Sequence, residues 1–292
     1  MGIGEYFYNM SLNPKTDKEF VLGFLKQTDE EKQRSEDYAE WLIQNSENVY
    51  IESTNNGKLK LHAHRVKNKM ASNTWVIVIH GYMNNGKGMA EYAQNFLKIG
   101  YNVLVPDLRG HGESEGDYIG MGWHDRLDII DWINYLIKEN SDCKIIIFGV
   151  SMGAATTMMT TGETLPKQVK VAIEDCGYTS AWEQLGYNLK SVFNLPKFPV
   201  LYLASKSCNK HAKYRIQEAS SIEQVKKSKI PTLFIHGSAD TFVPFKMLYE
   251  LYNVAVCPKE KLVVEGAEHA KAASVAPELY WSSIKQFIKK YL

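Results

Sequence analysis

The chain has 292 residues, 45% of them hydrophobic, enough to bury one substantial core. Lys and Arg number 34 against 33 Asp and Glu, for a net charge of +1, so no global field draws the chain to nucleic acid or to anionic lipid. The four cysteines, Cys143, Cys176, Cys208 and Cys257, have no paired C-x-x-C spacing, which argues against a zinc site or a disulfide framework and fits a reducing compartment. No apolar run approaches the roughly 20 residues of a membrane span, and Met1 to Asn9 holds Glu5 without a basic residue, unlike a signal peptide. The expectation is a soluble chain, cytoplasmic or membrane-associated, with no metal and no cofactor.

In chain order, residues 1–47 are expected to form a helical, charged N-terminal arm on the outside of the core, with an aromatic cluster at Tyr6, Phe7 and Tyr8. These residue types do not state what the arm does. From about Val49 short apolar runs alternate with helical patterns. Strands are predicted over Leu59–Val66, Trp75–His80, Tyr101–Pro106, Lys144–Val150, Val169–Glu174, Thr232–His236 and Lys261–Val264. Four of them are continuously apolar, as expected of parallel strands covered on both faces. Asp125–Glu139 places Ile129, Ile133, Leu136 and Ile137 on one helical face, and Pro277–Leu292 does the same with Tyr280, Ile284, Phe287, Ile288 and Tyr291. This β-α-β order predicts an α/β protein with a doubly wound, mostly parallel sheet. The core is assigned to residues 48–180 and 219–292, and the apolar stretch 181–218, too long for a bare loop, to a small helical cap.

Gly149-Val150-Ser151-Met152-Gly153 follows the run Ile145 to Phe148 and precedes a helix-prone stretch. A buried strand turning sharply into a helix lifts a serine Oγ clear of the sheet; alone, Ser151 is equally well read as the N-cap of the helix that starts at Met152. A hydrolytic serine also needs a base, an acid to orient it, and donors for an oxyanion. Each has a candidate beyond the carboxyl end of a strand, where sites of open α/β sheets form. His269 lies in the loop after Lys261–Val264. Asp240 follows Thr232–His236, where alone it could close an Asx turn, and Asp175 after Val169–Glu174 is a second candidate acid. The backbone N–H groups of Tyr82 and Met152 are the candidate oxyanion donors. His80 is read as a brace for its loop. Trp182 and Phe193 of the cap are the candidate substrate-pocket residues.

The order Ser151, Asp240, His269 is that of the α/β-hydrolase triad, and the chain resembles that superfamily from about residue 48 to its end; the D-x-x-V-P context of Asp240 matches the commoner placement of the acid there, so the resemblance favours Asp240, with Asp175 as the alternative. The resemblance is strongest to a bacterial branch of esterase-like serine hydrolases that often carries an N-terminal membrane anchor. Asp107-Leu108-Arg109-Gly110-His111-Gly112-Glu113-Ser114 resembles the superfamily's D-x-R-G-H-G-x-S signature, which makes His111 structural, and Ile230 to Gly237 resembles its approach to the acid. What the resemblance implies is an α/β-hydrolase fold and a serine esterase acting on a small-molecule carboxylic ester through an acyl-enzyme. No transmembrane helix precedes Gly2, so membrane association is expected only through an anchor outside this sequence. The same parts serve thioesterases, acyltransferases and peptidases, and a non-catalytic binding module is the rival from another class, though no triad member is missing. Tyr82, in place of a glycine run after His80-Gly81, is expected to restrict the alcohol side of an ester, and the cap to set acyl length.

Overall fold

The computed structural model of the protein describes residues 2–18, 28–55 and 57–292. The N-terminal arm supplies helices α1 (Ile3–Leu12) and α2 (Asp29–Asn45), while residues 19–27, also assigned to the arm, lie outside the described ones. Thr28 caps α2 through a reciprocal pair of bonds with Glu31, the two-donor arrangement that satisfies the free amides of a first turn. Strands β1 (Glu47–Glu52), β2 (Lys60–Val66), β3 (Thr74–Ile79) and β4 (Asn102–Pro106) follow, with α3 (Ala90–Ile99) between the last two. Then come α4 (Asp125–Glu139), β5 (Lys144–Val150), α5 (Met152–Thr161) and β6 (Val169–Asp175). Between β6 and β7 (Thr232–Gly237) run α6 (Ala181–Phe193), α7 (Val200–Ala212) and the short α8 (Ser221–Val225). The chain ends with α9 (Lys246–Val254), β8 (Lys259–Val264), α10 (Ala272–Val275) and α11 (Pro277–Tyr291).

The eight strands form one sheet in the order β1-β2-β4-β3-β5-β6-β7-β8. β2 runs antiparallel to both β1 and β4, and the remaining pairs are parallel. The continuously apolar strands are explained by alternation: Trp75, Ile77, Ile79, Ile145 and Ile147 enter the core layer beneath α4 and α5, while Val76, Val78, Ile146 and Phe148 enter the opposite layer with α2, α3 and α11. β1 lacked a sequence signal because only Val49 of its six residues is buried.

The Asp107 to Ser114 signature ties the antiparallel edge to the central strands. The Asp107 carboxylate accepts from the backbone of Gly86 (2.7 Å) and Glu113 (2.9 Å) and from His62 Nδ1 (2.8 Å). Burial would raise this carboxyl, but those donors hold it at about 2. Arg109, fully buried, makes a bidentate pair with Asp128 of α4 at 2.7 and 2.6 Å and donates to the Tyr118 hydroxyl at 2.7 Å. His111 donates from Nδ1 to the Arg109 carbonyl (3.0 Å), and burial lowers its pKa to about 3, so it is a neutral structural ring. Replacing Asp128 with Ala leaves the Arg109 guanidinium buried and unpaired, and should destabilise the fold by about 3–5 kcal/mol. Urea unfolding is the check, and a loss below about 1 kcal/mol would mean that the guanidinium finds solvent or another partner.

Candidate active site

The turn from β5 into α5 places Ser151 at φ 58° and ψ −116°, a conformation that costs a residue with a Cβ of order 1–3 kcal/mol. The glycines on either side make this turn feasible. A methyl at Gly149 would overlap the Gly153 carbonyl, and one at Gly153 would overlap the carbonyl of Ile79 at the end of β3. Although Ser151 occupies the position before α5, its side chain makes no capping bond. Its Oγ instead lies 2.9 Å from His269 Nε2.

His269 sits in the loop after β8, and its Nδ1 is 2.8 Å from Asp240 Oδ2. A carboxylate only accepts, so Nδ1 carries the proton and Nε2 is left as the acceptor for the Ser151 hydroxyl. Asp240 uses its other oxygen, Oδ1, to accept from the backbone amides of Phe242 and Val243, both at 2.9 Å. It is therefore an Asx-turn residue and the partner of His269 at once. His236, at the end of β7, adds a fourth donor: its Nε2 lies 3.1 Å from Asp240 Oδ2 and 3.0 Å from the Val243 carbonyl. Burial would raise the Asp240 carboxyl, but hydrogen bonds from His236 and His269 hold it at about 2. Sequence reading missed His236 as a participant, since a histidine closing an apolar strand has no signal of its contact four residues on.

Asp175 is placed elsewhere. Its Oδ2 accepts from the Tyr280 hydroxyl of α11 at 2.8 Å, and burial raises its pKa to about 6. Cys176, Asp240 and His269 hold potential ligand atoms within 4.8 Å of one another. Metals bind thiolates, whereas burial pushes the Cys176 thiol well above its ordinary value, and the other two groups are engaged with each other. His80, also buried, donates from Nδ1 to the Gly81 carbonyl (2.8 Å) and accepts the Leu108 amide at Nε2 (3.0 Å), bracing the loop beside Ser151. That loop passes close: a Cβ on Gly81 would stand 3.3 Å from Ser151 Cβ. Met152, as the first residue of α5, has an amide with no acceptor inside its helix.

Two cavities meet at Ser151. The first, about 290 Å³, is apolar and is lined by Phe7 and Leu12 of α1, Leu185 and Phe193 of α6, and Leu201 of α7. The second, about 240 Å³, is more polar, with Arg34 and Tyr38 of α2, Asn84, Lys87, His269 and Lys271 on its walls. Tyr82, Ser151 and Phe242 line both. The Tyr82 hydroxyl donates to the Ser11 carbonyl at 2.6 Å, so its ring is pinned as a partition between the two spaces. Trp182, expected in the pocket, does not line either cavity; its ring packs edge-on against Tyr202 with centroids 4.9 Å apart. The arm, whose role the residue types did not state, instead walls both cavities.

Behind the site, burial raises Glu174 to about 8, and its Oε2 accepts from the Gly177 amide at 3.0 Å. Folded, Glu174 keeps its proton up to about pH 8, whereas unfolded it loses it near the ordinary 4.5. Within that window the folded state binds the extra proton, so this group makes stability fall as pH rises, until the fall levels off above the folded value. Asp175, also raised by burial, has its midpoint lower, at about 6. Glu174→Gln keeps an acceptor for Gly177 and should flatten the decline in Tm between about pH 6.5 and 8. An unchanged slope in a thermal-melt series would show that Glu174 is already ionised in the folded chain.

Comparison with known proteins agrees with this architecture. Residues 71–196 match the family model described as serine aminopeptidase, S33. The chain is 30% identical over 214 residues to the uncharacterized protein YqkD of Bacillus subtilis, covering 73% of this chain and 70% of that one. It is 28% identical over 202 residues to the lysophosphatidylserine lipase ABHD12 of Danio rerio, covering 66% of this chain and 50% of the relative. Among solved structures, the Pyrococcus furiosus esterase Pf2001 superposes with a TM-score of 0.70 at 26% identity, covering 86% of this chain and 93% of the esterase. The chain belongs to the α/β-hydrolase superfamily of serine hydrolases.

Proposed function

We propose that the protein hydrolyses carboxylic esters that join an apolar acyl chain to a small polar alcohol, with Ser151 as nucleophile. The observation that carries this reading is the hydrogen-bonded line from Ser151 Oγ through His269 to Asp240, at 2.9 and 2.8 Å. As Oγ attacks the ester carbonyl, His269 Nε2 takes its proton, and the Asp240 carboxylate stabilises the imidazolium. The negative charge on the carbonyl oxygen is met by the Tyr82 and Met152 amides. Collapse of the tetrahedral species breaks the bond to the alcohol oxygen, which receives the proton from Nε2. Water, deprotonated by the same nitrogen, then releases the acid and restores Ser151.

The two cavities support the division of the substrate. The leaving oxygen has to reach His269, which lines only the polar cavity, so the alcohol is assigned there. The acyl chain is assigned to the apolar cavity, with residues 181–218 acting as its cap. The names of ABHD12 and of the thermostable monoacylglycerol lipase of Bacillus sp. H-257, 29% identical over 83 residues, point in the same direction.

A fluorophosphonate probe should label the wild-type chain, and Ser151→Ala should abolish both labelling and ester hydrolysis. Asp240→Asn should lower kcat by about 10³–10⁴ by favouring the wrong imidazole tautomer, while Asp175→Asn changes it much less. The reverse ranking would transfer the acid role to Asp175.

On scope, kcat/KM should rise by up to about fourfold for each acyl methylene until the apolar cavity is filled, given about 0.8 kcal/mol per buried CH₂. At fixed acyl length a 1-glyceryl ester should exceed the propyl ester by about fivefold, the worth of one net hydrogen bond. Tertiary-butyl esters, crowded by Tyr82, should be slowest. A propyl ester turned over as well as the glyceryl one would remove the polar cavity from the alcohol side, and thioester and anilide analogues in the same panel rank the rival chemistries.

A further inference from the structure

His236 takes no part in the steps set out above, yet it bonds to the acid that those steps use. It is fully buried at the end of β7 and lines neither cavity, so it touches no substrate. Its place is set by the sheet. His236 is in register with Val263 of β8, and its ring packs edge-on against Phe245 with centroids 5.9 Å apart. A side chain held in this way is a fixed point from which a neighbour is oriented.

That neighbour is Asp240. Its Oδ1 accepts two backbone amides, which anchor one oxygen and leave the carboxylate plane free to turn about it. The oxygen that serves the base is the other one: Oδ2 accepts from His269 Nδ1 at 2.8 Å. His236 Nε2 lies 3.1 Å from this same Oδ2 and 3.0 Å from the Val243 carbonyl. Both are acceptors, so Nε2 carries the hydrogen. Since the Val243 amide binds Oδ1, the two contacts of His236 close a ring of bonds around the turn and fix the carboxylate plane. Burial would lower the pKa of His236, but its bonds to Asp240 raise it, and protonation leaves the Nε2 hydrogen in place. The far side of the ring agrees. Among the described residues His236 Nδ1 and Glu174 Oε1 are both buried and without a partner, and β6 and β7 put these side chains on one face, Glu174 being paired with Phe234, two residues before His236. Burial favours a proton on Glu174, which leaves no anion there to draw the hydrogen of His236 away from Nε2.

We propose that His236 is a positioning residue of the reaction, which holds the plane of the Asp240 carboxylate so that Oδ2 meets His269 Nδ1. The inference rests on the reading of Ser151 as nucleophile and His269 as its base. It adds the group without which the acid turns away from that base. The two imidazoles then have opposite tasks and opposite hydrogens: His269 carries its own on Nδ1 and works at Nε2, whereas His236 carries its own on Nε2 and only steadies the carboxylate between them.

The test compares His236→Leu, which removes the donor, with His236→Gln, whose amide nitrogen takes the place of Nε2. On a short-chain nitrophenyl ester, His236→Leu should lower kcat at least about tenfold with KM within about twofold of the wild type, because the ring lines neither cavity and misplacing a catalytic group by about 1 Å costs up to about 10²-fold. His236→Gln should recover kcat to within about threefold. The rate of fluorophosphonate labelling at Ser151, which needs the same base and no ester, should fall and recover in parallel. The low-field proton resonance of the bond from His269 Nδ1 to Asp240 should be kept in His236→Gln and be broadened or moved upfield in His236→Leu, a change that a role in packing alone would not produce. Thermal unfolding reports that the variants remain folded. Should His236→Leu fail to fold, nitrogen-15 spectra of the wild type decide, and a His236 Nε2 without hydrogen overturns the proposal. Unchanged kcat in folded His236→Leu, a loss that His236→Gln does not recover, or an unmoved resonance overturns it as well. A chain that labels at Ser151 and hydrolyses no ester removes the esterase reading alone, since the labelling rates and the resonance still decide the role of His236.

Discussion

Where α5 leaves Ser151 its backbone runs against the end of β3, with Gly153 packed on the Ile79 carbonyl and Gly149 packed on Gly153 itself. The sheet, the site and both cavities are arranged around this contact. β3 and β5 are neighbouring parallel strands in register from Thr74 and Lys144 to Ile79 and Gly149, so their carboxyl ends emerge side by side. Only a helix starting without side chains at the contact can rise directly from that level. The backbone strain held at Ser151 is offset by a buried sheet on both sides, and it aims Oγ out of the strand ends instead of into the helix cap.

The groups facing Ser151 are fixed by a second constraint, the full use of one buried carboxylate. Asp240 meets two backbone amides and two imidazoles, and a buried anion with four donors has both its charge and its orientation determined. The turn from Asp240 to Val243, the end of β7 at His236 and the loop after β8 at His269 are thereby locked to one another. Glu174 and Asp175, one strand away and also buried, lack such a set of donors and are raised towards neutrality. Neighbouring carboxyls of one sheet end are thus driven in opposite directions by hydrogen bonding.

The N-terminal arm completes the site from outside the sheet. α1 is held to α7 by Gly4 packing, by Glu5 with Lys210 and His211, and by the Tyr8 ring stacked on His211 at 4.9 Å. α2 is held by Arg34 with Glu91 and by Glu31 with Lys271. The second of these joins the arm to the segment two residues beyond His269. Exposed ion pairs contribute little each, so the arm's seating rests mainly on Phe7, Tyr8, Leu12 and Leu42, all buried.

Local pattern was sufficient for the central strands β3, β4, β5 and β7, because a covered parallel strand is apolar at nearly every position, and for α4 and α11, whose apolar residues recur at the helical period. Strand-end position was likewise sufficient to nominate Ser151, Asp240 and His269, since each follows an apolar run by a few residues. The polar edge strand β1 was silent, its pairing supplied by β2 and not by its own side chains. Between Asp240 and Asp175 the D-x-x-V-P context already favoured Asp240, and the fold adds what no local pattern holds, that Tyr280 bonds one while His269 bonds the other. The same holds for His236, for Trp182 packed edge-on against Tyr202, and for the arm, whose contacts join residues about 200 positions apart in Glu5 and Lys210. Periodicity reports which way a side chain faces within its own element, whereas a partner from another element is set by packing, and no local pattern encodes it.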